Sequence, residues 1–334
     1  MSDKKNKIVI TDCDHPSVDI EKTVFQTINA EVTLENCRTE EDVIAVASDA
    51  DGIINQYAPI TKKVIQALSK CKVISRYGVG VDNIDIEAAT DKNIVVANVP
   101  DYCVDEVSTH AMSLILACAR GLTILDRKVR EKKWDFTIVK PLFRTEGQIV
   151  GLFGLGRIAR KVAQKALGFG FKVIAYDPYV SEVEGCIKLV DFDNLLRSAD
   201  FISIHAPLTT ETRYSFGENE LRKMKKSAFL VNTSRGPLIN ENALYKALNG
   251  EWIAGAALDV MEKEPPDWDN PLLSFENIII TPHISFYSEE SYKELKTKVA
   301  DSVIAVLEGD LPRSAVNPQV FKNLNRFRRK RKWI

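Results

Sequence analysis

A chain of 334 residues exceeds what one ordinary hydrophobic core serves, so two domains are expected. Its 45% apolar and 27% charged residues fit a globular enzyme, and a formal net charge of −1 excludes a whole-protein field favouring DNA or an anionic membrane. No stretch approaches the ~18–20 apolar residues of a membrane span.

Short apolar runs alternate with helix-like segments from the start. KIVI (7–10), VTL (32–34), GIIN (52–55), KVISR (72–76) and IVVAN (94–98) read as strands at similar spacing. Strands alternating with helices imply parallel β-α-β units with right-handed crossovers. This block carries no glycine fingerprint for a nucleotide. From about Val104 to Arg130 one long helical pattern follows, suited to a bridge between domains or to a core position. A second series begins at QIVGLFG (148–154) and continues with KVIAYD (172–177), IKLV (187–190), DFISIH (200–205), AFLVN (228–232), AGAALD (254–259) and NIIIT (277–281). After Pro282 a last helical pattern, about 288–307, has no strand partner of its own. It is expected to pack back on the first domain, which makes that domain discontinuous: 1–103 with 285–320, around an inserted 104–284.

The tail RFRRKRK (326–332), within 321–334, is the only charge run. No aromatic platform accompanies it, so a solvated end is expected and nucleic acid is an unlikely partner. Cys13, Cys37, Cys71, Cys103, Cys118 and Cys186 lie far apart with no C-x-x-C, which reads as buried reduced thiols and leads us to expect no metal. The start, MSDKKNKIVI, lacks the apolar run of a signal peptide, so the cytoplasm is the expected location.

Gly154-Leu155-Gly156-Arg157-Ile158-Ala159 follows a strand and opens a helix as G-x-G-x-x-A. Gly154 permits the tight turn, Gly156 lets backbone approach a pyrophosphate, and Ala159 allows close helix–strand packing. Phosphates would meet the unpaired N–H groups and positive dipole of the helix start, with Arg157 adding a charge-assisted bond. Asp177 ends the next strand, 21 positions after Gly156 (177 − 156). Its carboxylate suits ribose hydroxyls and repels a 2′-phosphate, and Pro178 and Tyr179 bring no cation. NAD is therefore expected rather than NADP.

Arg235, Glu264 and His283 each follow a strand of the second series, which places them at the carboxyl edge of a parallel sheet. Reducing a 2-keto acid needs a proton donor at the ketone oxygen, a role suited to His283. Glu264 would orient the ring and favour imidazolium. Arg235 would bind the substrate carboxylate and polarise the keto oxygen. Singly, each has an ordinary structural reading; their joint placement is what points to chemistry.

RYGVGVDNID (76–85), NVPDYCVDEVSTHA (98–111), GLFGLGRIAR (151–160), HAPLTTETR (205–213), VNTSRGPLIN (231–240), GAALDVMEKEPP (255–266) and TPHIS (281–285) together resemble the D-isomer-specific 2-hydroxyacid dehydrogenases over about Lys7 to Asn317. The resemblance implies two doubly wound parallel-sheet domains, a Rossmann NAD domain inserted into a flavodoxin-like substrate domain. It implies the roles given above for Arg235, Glu264 and His283. It also implies that backbone N–H groups of Tyr77, Gly78, Val79 and Gly80 hold the substrate carboxylate beside Arg76, that Asp259 bonds the nicotinamide carboxamide, and that Ala206, Pro207, Thr212, Thr233 and Ser234 line the cofactor. A homodimer through the nucleotide domain is implied, with the helix from Val104 crossing between subunits.

HISFYSEES (283–291) and LFRTEGQIVGLFGLGR (142–157) look closest to the C-terminal-binding-protein branch, with Phe286 as an apolar wall where that branch usually has Trp. Ser285 and Phe286 after the histidine argue against phosphoglycerate as substrate. The expected activity is NAD-dependent interconversion of a small D-2-hydroxy acid and its 2-keto acid. Two alternatives stand beside it: an NAD-regulated corepressor-like module that recruits peptides, and oxidation of a phosphite- or phosphonate-type anion.

Overall fold

The computed structural model describes residues 5–183 and 185–320; the basic run 326–332 lies outside the described residues. Its contacts divide the chain into two units, one made of the segments up to Tyr102 and from Ser288 onward, the other of Cys103–Tyr287.

The first unit is a five-stranded parallel sheet: β1 (Lys7–Ile10), β2 (Glu31–Leu34), β3 (Gly52–Asn55), β4 (Val73–Arg76) and β5 (Val95–Ala97), in the order β2-β1-β3-β4-β5. That is the flavodoxin-like order, whose reversal lies between β1 and β3. β3 is buried throughout and β1 and β4 nearly so, which is why each reads as an unbroken apolar run and not an alternating one. Helices α1 (Asp19–Phe25), α2 (Glu40–Ala47), α3 (Lys62–Ala67) and α4 (Ile86–Asp91) connect the strands. The start of α2 is fixed by a reciprocal Thr39–Asp42 capping box, that of α4 by Asp85 accepting from the Ala88 N–H. Val9, Ile53, Ile60, Ile65, Ile74 and Val96 centre the core.

The second unit opens with two helices where the sequence predicts one. The first, α5 (Val104–Arg120), stops at Gly121, and α6 (Leu122–Arg130) departs at 62°. Gly121 adopts a left-handed conformation, φ 60°, and a Cβ there would come within 2.8 Å of Val139 Cγ1. A glycine inside an apolar pattern thus ended the helix from the backbone side, which hydrophobic periodicity cannot register. Val107, Ala111, Met112, Leu114, Ile115 and Cys118 bury one face of α5 against α7 (Arg157–Gly168), β10 and β11. Seven parallel strands follow: β6 (Ile149–Phe153), β7 (Lys172–Tyr176), β8 (Ile187–Leu189), β9 (Phe201–Ile204), β10 (Phe229–Asn232), β11 (Gly255–Leu258) and β12 (Ile278–Ile280). Their order is β12-β11-β10-β9-β6-β7-β8, so the chain reverses direction between β6 and β9. Ligands bind such sheets outside the carboxyl ends at that reversal. Helices α8 (Phe192–Ser198), α9 (Glu218–Lys223) and α10 (Glu241–Asn249) pack one face of the sheet; α5 and α7 pack the other.

The last helix, α11 (Glu289–Glu308), belongs to the first unit, where it lies on α1, β3 and β4. A Ser288–Ser291 capping box starts it and left-handed Gly309 ends it. Among the described residues no single helix is long and apolar enough to cross a membrane. The six cysteines are unpaired, but the expectation that all are buried is corrected: Cys186 sits exposed in the turn before β8 and Cys13 is half-buried after β1.

Candidate active site

At the reversal in the second unit, β6 runs into Gly154, which takes φ +90°. A Cβ there would lie 2.9 Å from the Ala206 nitrogen and the His205 carbonyl carbon, so only glycine lets this turn pass the end of β9. Gly156 is the N-cap of α7, with no side-chain cap, no acidic residue in the first turn, and nothing within 4 Å of a Cβ position. That leaves a helix start with no side-chain cap and with room beside Gly156, the ordinary cradle for a phosphate. Arg157 and Ile158 are its first two residues and Ala159 is buried in the core. Asp177, just past β7, accepts from the Leu155 N–H at 2.8 Å and the Tyr179 N–H at 2.9 Å. Both bonds fix the carboxylate beside the glycine turn while leaving lone pairs for ribose hydroxyls.

After β9, Ala206 is buried, and the Thr212 hydroxyl donates to Pro207 O at 2.6 Å, closing the loop. After β10, buried Asn232 braces the next turn, its amide donating to Arg235 O and its oxygen accepting from the Ser234 N–H. The Ser234 hydroxyl donates to Ile204 O at 2.8 Å. Thr233 Oγ1, in contrast, is buried with no partner among the described residues. A buried hydroxyl without a partner, an unblocked helix start and a fixed ribose-type carboxylate fit a dinucleotide.

Arg235 follows, its Nη1 donating to Ser234 O at 2.8 Å. Gly236 lets this loop press on the one after β11, since a Cβ there would fall 2.0 Å from the Met261 carbonyl. In the Met261 loop, Glu264 Oε1 accepts from the Met261 N–H at 2.9 Å, and Oε2 lies 2.6 Å from His283 Nδ1. Glu262 and Glu241 at the head of α10 exchange backbone-to-carboxylate bonds, tying the loop down a second time. His283 itself holds a left-handed backbone, φ +52°, maintained by its N–H donating to Asp259 O at 2.8 Å. Such a conformation in a non-glycine residue persists only where neighbours over-determine it, and it is common at reactive sites. The buried Asp259 carboxylate accepts from Thr281 Oγ1 at 2.6 Å and from the Ile284 and Ser285 N–H groups at 3.0 Å each, so it knits the histidine loop from both sides. The Phe286 ring stands edge-on to His283, with centroids 6.4 Å apart. Burial pushes His205, just past β9, down to about 4, which keeps this imidazole neutral.

In the first unit, Arg76 ends β4, and Tyr77, Gly78 and Val79 follow in the turn at that sheet's carboxyl edge. Gly78 takes φ +133°, against the Arg76 guanidinium. The Tyr77 N–H donates to Asn55 O and the Gly78 N–H to Arg76 O, whereas those of Val79 and Gly80 have no acceptor among the described residues. The Tyr77 side chain turns into the core. Sequence reasoning missed Gly236, Asn232 and the Glu241–Glu262 exchange: each acts across segments whose proximity no local pattern encodes.

A parallel sheet with a glycine turn, an open helix start and an acidic strand end at its reversal defines a dinucleotide-binding α/β protein. Residues 112–285 match the family model described as D-isomer specific 2-hydroxyacid dehydrogenase, NAD binding domain. A D-3-phosphoglycerate dehydrogenase of Methanocaldococcus jannaschii is 41% identical over 316 residues, 93% of this chain and 59% of that protein, so the chain spans under two thirds of this relative. A glyoxylate reductase of Korarchaeum cryptofilum is 39% identical over 84% of this chain and 86% of its own length. Among solved structures, the D-lactate dehydrogenase from Aquifex aeolicus complexed with NAD and lactic acid is 26% identical with a TM-score of 0.84, covering 91% of this chain and 96% of that one. The chain belongs to the D-isomer specific 2-hydroxyacid dehydrogenase family, a family of NAD-dependent dehydrogenases, and its cofactor is NAD.

Proposed function

We propose that this protein interconverts a small D-2-hydroxy acid and its 2-keto acid. The observation that carries the reading is the His283–Glu264 contact at 2.6 Å on the carboxyl edge of the second sheet. Glu264 holds the Nδ1–H, and Nε2 has no partner among the described residues. That ring nitrogen gives a proton to the keto oxygen in reduction and takes one from the hydroxyl in oxidation. Arg235 forks the substrate carboxylate and polarises the carbonyl. Phe286 gives the histidine an apolar neighbour, its ring edge-on to the imidazole.

Gly154, Gly156, Arg157, Ile158 and Asp177 would hold NAD, which would supply or accept the hydride when bound. Thr233, Ser234, Ala206, Pro207 and Thr212 would line the cofactor, and Asp259 would bond its nicotinamide carboxamide. In the first unit, the Val79 and Gly80 N–H groups beside Arg76 suit a carboxylate. We assign the cofactor to 104–284 and the substrate turn to the unit of 1–103 with 285–320.

A homodimer is supported by large apolar side chains in the open around α6 and the segment after it: Leu122, Val129, Phe143, Trp134 at 91% exposure and Phe136 at 71%. A second copy is the occupant we propose, through this stretch at the end of the helical run from Val104. Unpaired cysteines agree with the cytoplasm as the location. The test is NADH oxidation with glyoxylate, hydroxypyruvate, pyruvate and longer or aromatic 2-keto acids. At least one acid should be turned over much faster by wild type than by His283→Ala; if none is, the proposal fails.

A further inference from the structure

The first unit contains a charged cluster that no step above uses. Glu21 on α1 and Lys296 on α11 are both 0% exposed, with Nζ 3.3 Å from Glu21 Oε1. Lys296 Nζ also donates to Ser17 O and, at 3.3 Å, to the Tyr292 hydroxyl. The Tyr77 hydroxyl donates to the same Glu21 Oε1 at 2.5 Å. His15, nearly buried, sets its ring edge-on to both Tyr77 and Tyr292. Burial first, and the Glu21 carboxylate next, push the Tyr77 phenol far up, so it stays protonated and remains a donor.

A buried ion pair is a poor way to gain stability, because desolvation offsets the attraction and an apolar pair of similar volume does as well or better. What it does supply is direction: a carboxylate fixed by Lys296 accepts a phenol at one place only. Tyr77 directly precedes Gly78 in the turn after β4. Backbone bonds tie the turn as well, from the Tyr77 N–H to Asn55 O, the Gly78 N–H to Arg76 O and the Val99 N–H to Gly78 O, and the Asn98 amide donates to Val79 O. With Tyr77 drawn inward, the N–H groups of Val79 and Gly80 are the ones left for a ligand.

We propose that the Glu21–Lys296 pair, through Tyr77, is a positioning device that sets the Arg76–Gly80 turn for an anion; this rests on the reading of that turn as the substrate-carboxylate site. Tyr77 is then an anchor and not a substrate contact, and none of the three touches the reacting atoms.

The test compares Tyr77→Phe and the charge-free pair Glu21→Met with Lys296→Met, in the full-length protein. Thermal melting, NADH affinity, KM for glyoxylate in NADH oxidation, and hydrogen exchange of the segment 77–82 are measured. The Met pair is expected to melt at or above wild type and bind NADH as wild type does, yet lose protection in 77–82 and show KM raised about tenfold with kcat much less changed. Tyr77→Phe should change exchange and KM in the same way while melting earlier, because it strips a bond from the buried Glu21 carboxylate. A folded Met pair with wild-type exchange and KM within about twofold overturns the proposal, and a fall in melting temperature alone reduces the cluster to a structural role. Arg76→Gln separates the two readings. If it leaves KM unchanged, the turn is not the carboxylate site; if it raises KM while the Met pair does not, only the positioning idea falls.

Discussion

Replacing Gly236 by Ala tests whether the Arg235 loop and the Glu264 loop are held in register by backbone contact. The added Cβ would sit 2.0 Å from the Met261 carbonyl carbon and oxygen and 2.5 Å from the Glu262 nitrogen. Real Cβ contacts do not fall below 3.0 Å, so the loops must part by at least 1 Å (3.0 − 2.0). Arg235 rides on one side of that gap. On the other, the Met261 N–H holds Glu264, which holds His283. A misplacement of about 1 Å at reacting groups costs about 10²-fold in rate, and overpacking costs about 1–3 kcal/mol of stability. Ser234 keeps its bond to Ile204 O, so the β9 side of the turn stays in place. With an active 2-keto acid and NADH, Gly236→Ala should lose about a hundredfold in kcat/KM, melt modestly earlier, and change NADH affinity far less than rate. A folded variant with kcat/KM within about twofold of wild type would refute the reasoning.

Asp177→Asn keeps an acceptor for the Leu155 N–H but removes the charge, so NADH should bind about tenfold more weakly and NADPH relatively better by fluorescence titration; unchanged affinities for both would count against a ribose-binding role. Asp259→Ala strips three bonds from the histidine loop and strands two backbone donors, for a loss of about 3 kcal/mol or more in denaturant unfolding; a loss under about 1 kcal/mol would show that the loop is held by other means. His205 titrates near 4 when folded against an ordinary 6.5, so the unfolded chain binds the extra proton between those values. Stability therefore falls as pH drops from about 6.5 to about 4, by at most about 3 kcal/mol. His205→Gln should flatten that part of the stability–pH curve, and parallel curves would sink the assignment.

Strand positions were readable because parallel strands covered on both faces appear as unbroken apolar runs, which turned KIVI, GIIN and AFLVN directly into β1, β3 and β10. The glycine turn at Gly154 and the strand-end Asp177 were readable because chain order alone places a β-α-β turn beside the next strand end. The pairing of Glu264 with His283 could be expected from successive strand ends, although its 2.6 Å geometry could not. Side-chain direction was the main thing hidden. R-Y-G-V-G does not say that Tyr77 faces the core, nor that its partner is a pair 275 positions apart (296 − 21). The bend at Gly121 was hidden too, since apolar periodicity continues through it. Cys186 shows the same limit in reverse: composition suggests burial, but a turn exposes it.

In the proposed reaction the Nε2 of a histidine held by Glu264 moves the proton. Single-turnover reduction of an active 2-keto acid by saturating NADH, comparing wild type with His283→Gln, tests it most directly. The variant is predicted to bind NADH like wild type while its rate falls by about 10²–10⁴-fold. A rate within about threefold of wild type, with the acid bound and NADH oxidised, would contradict it.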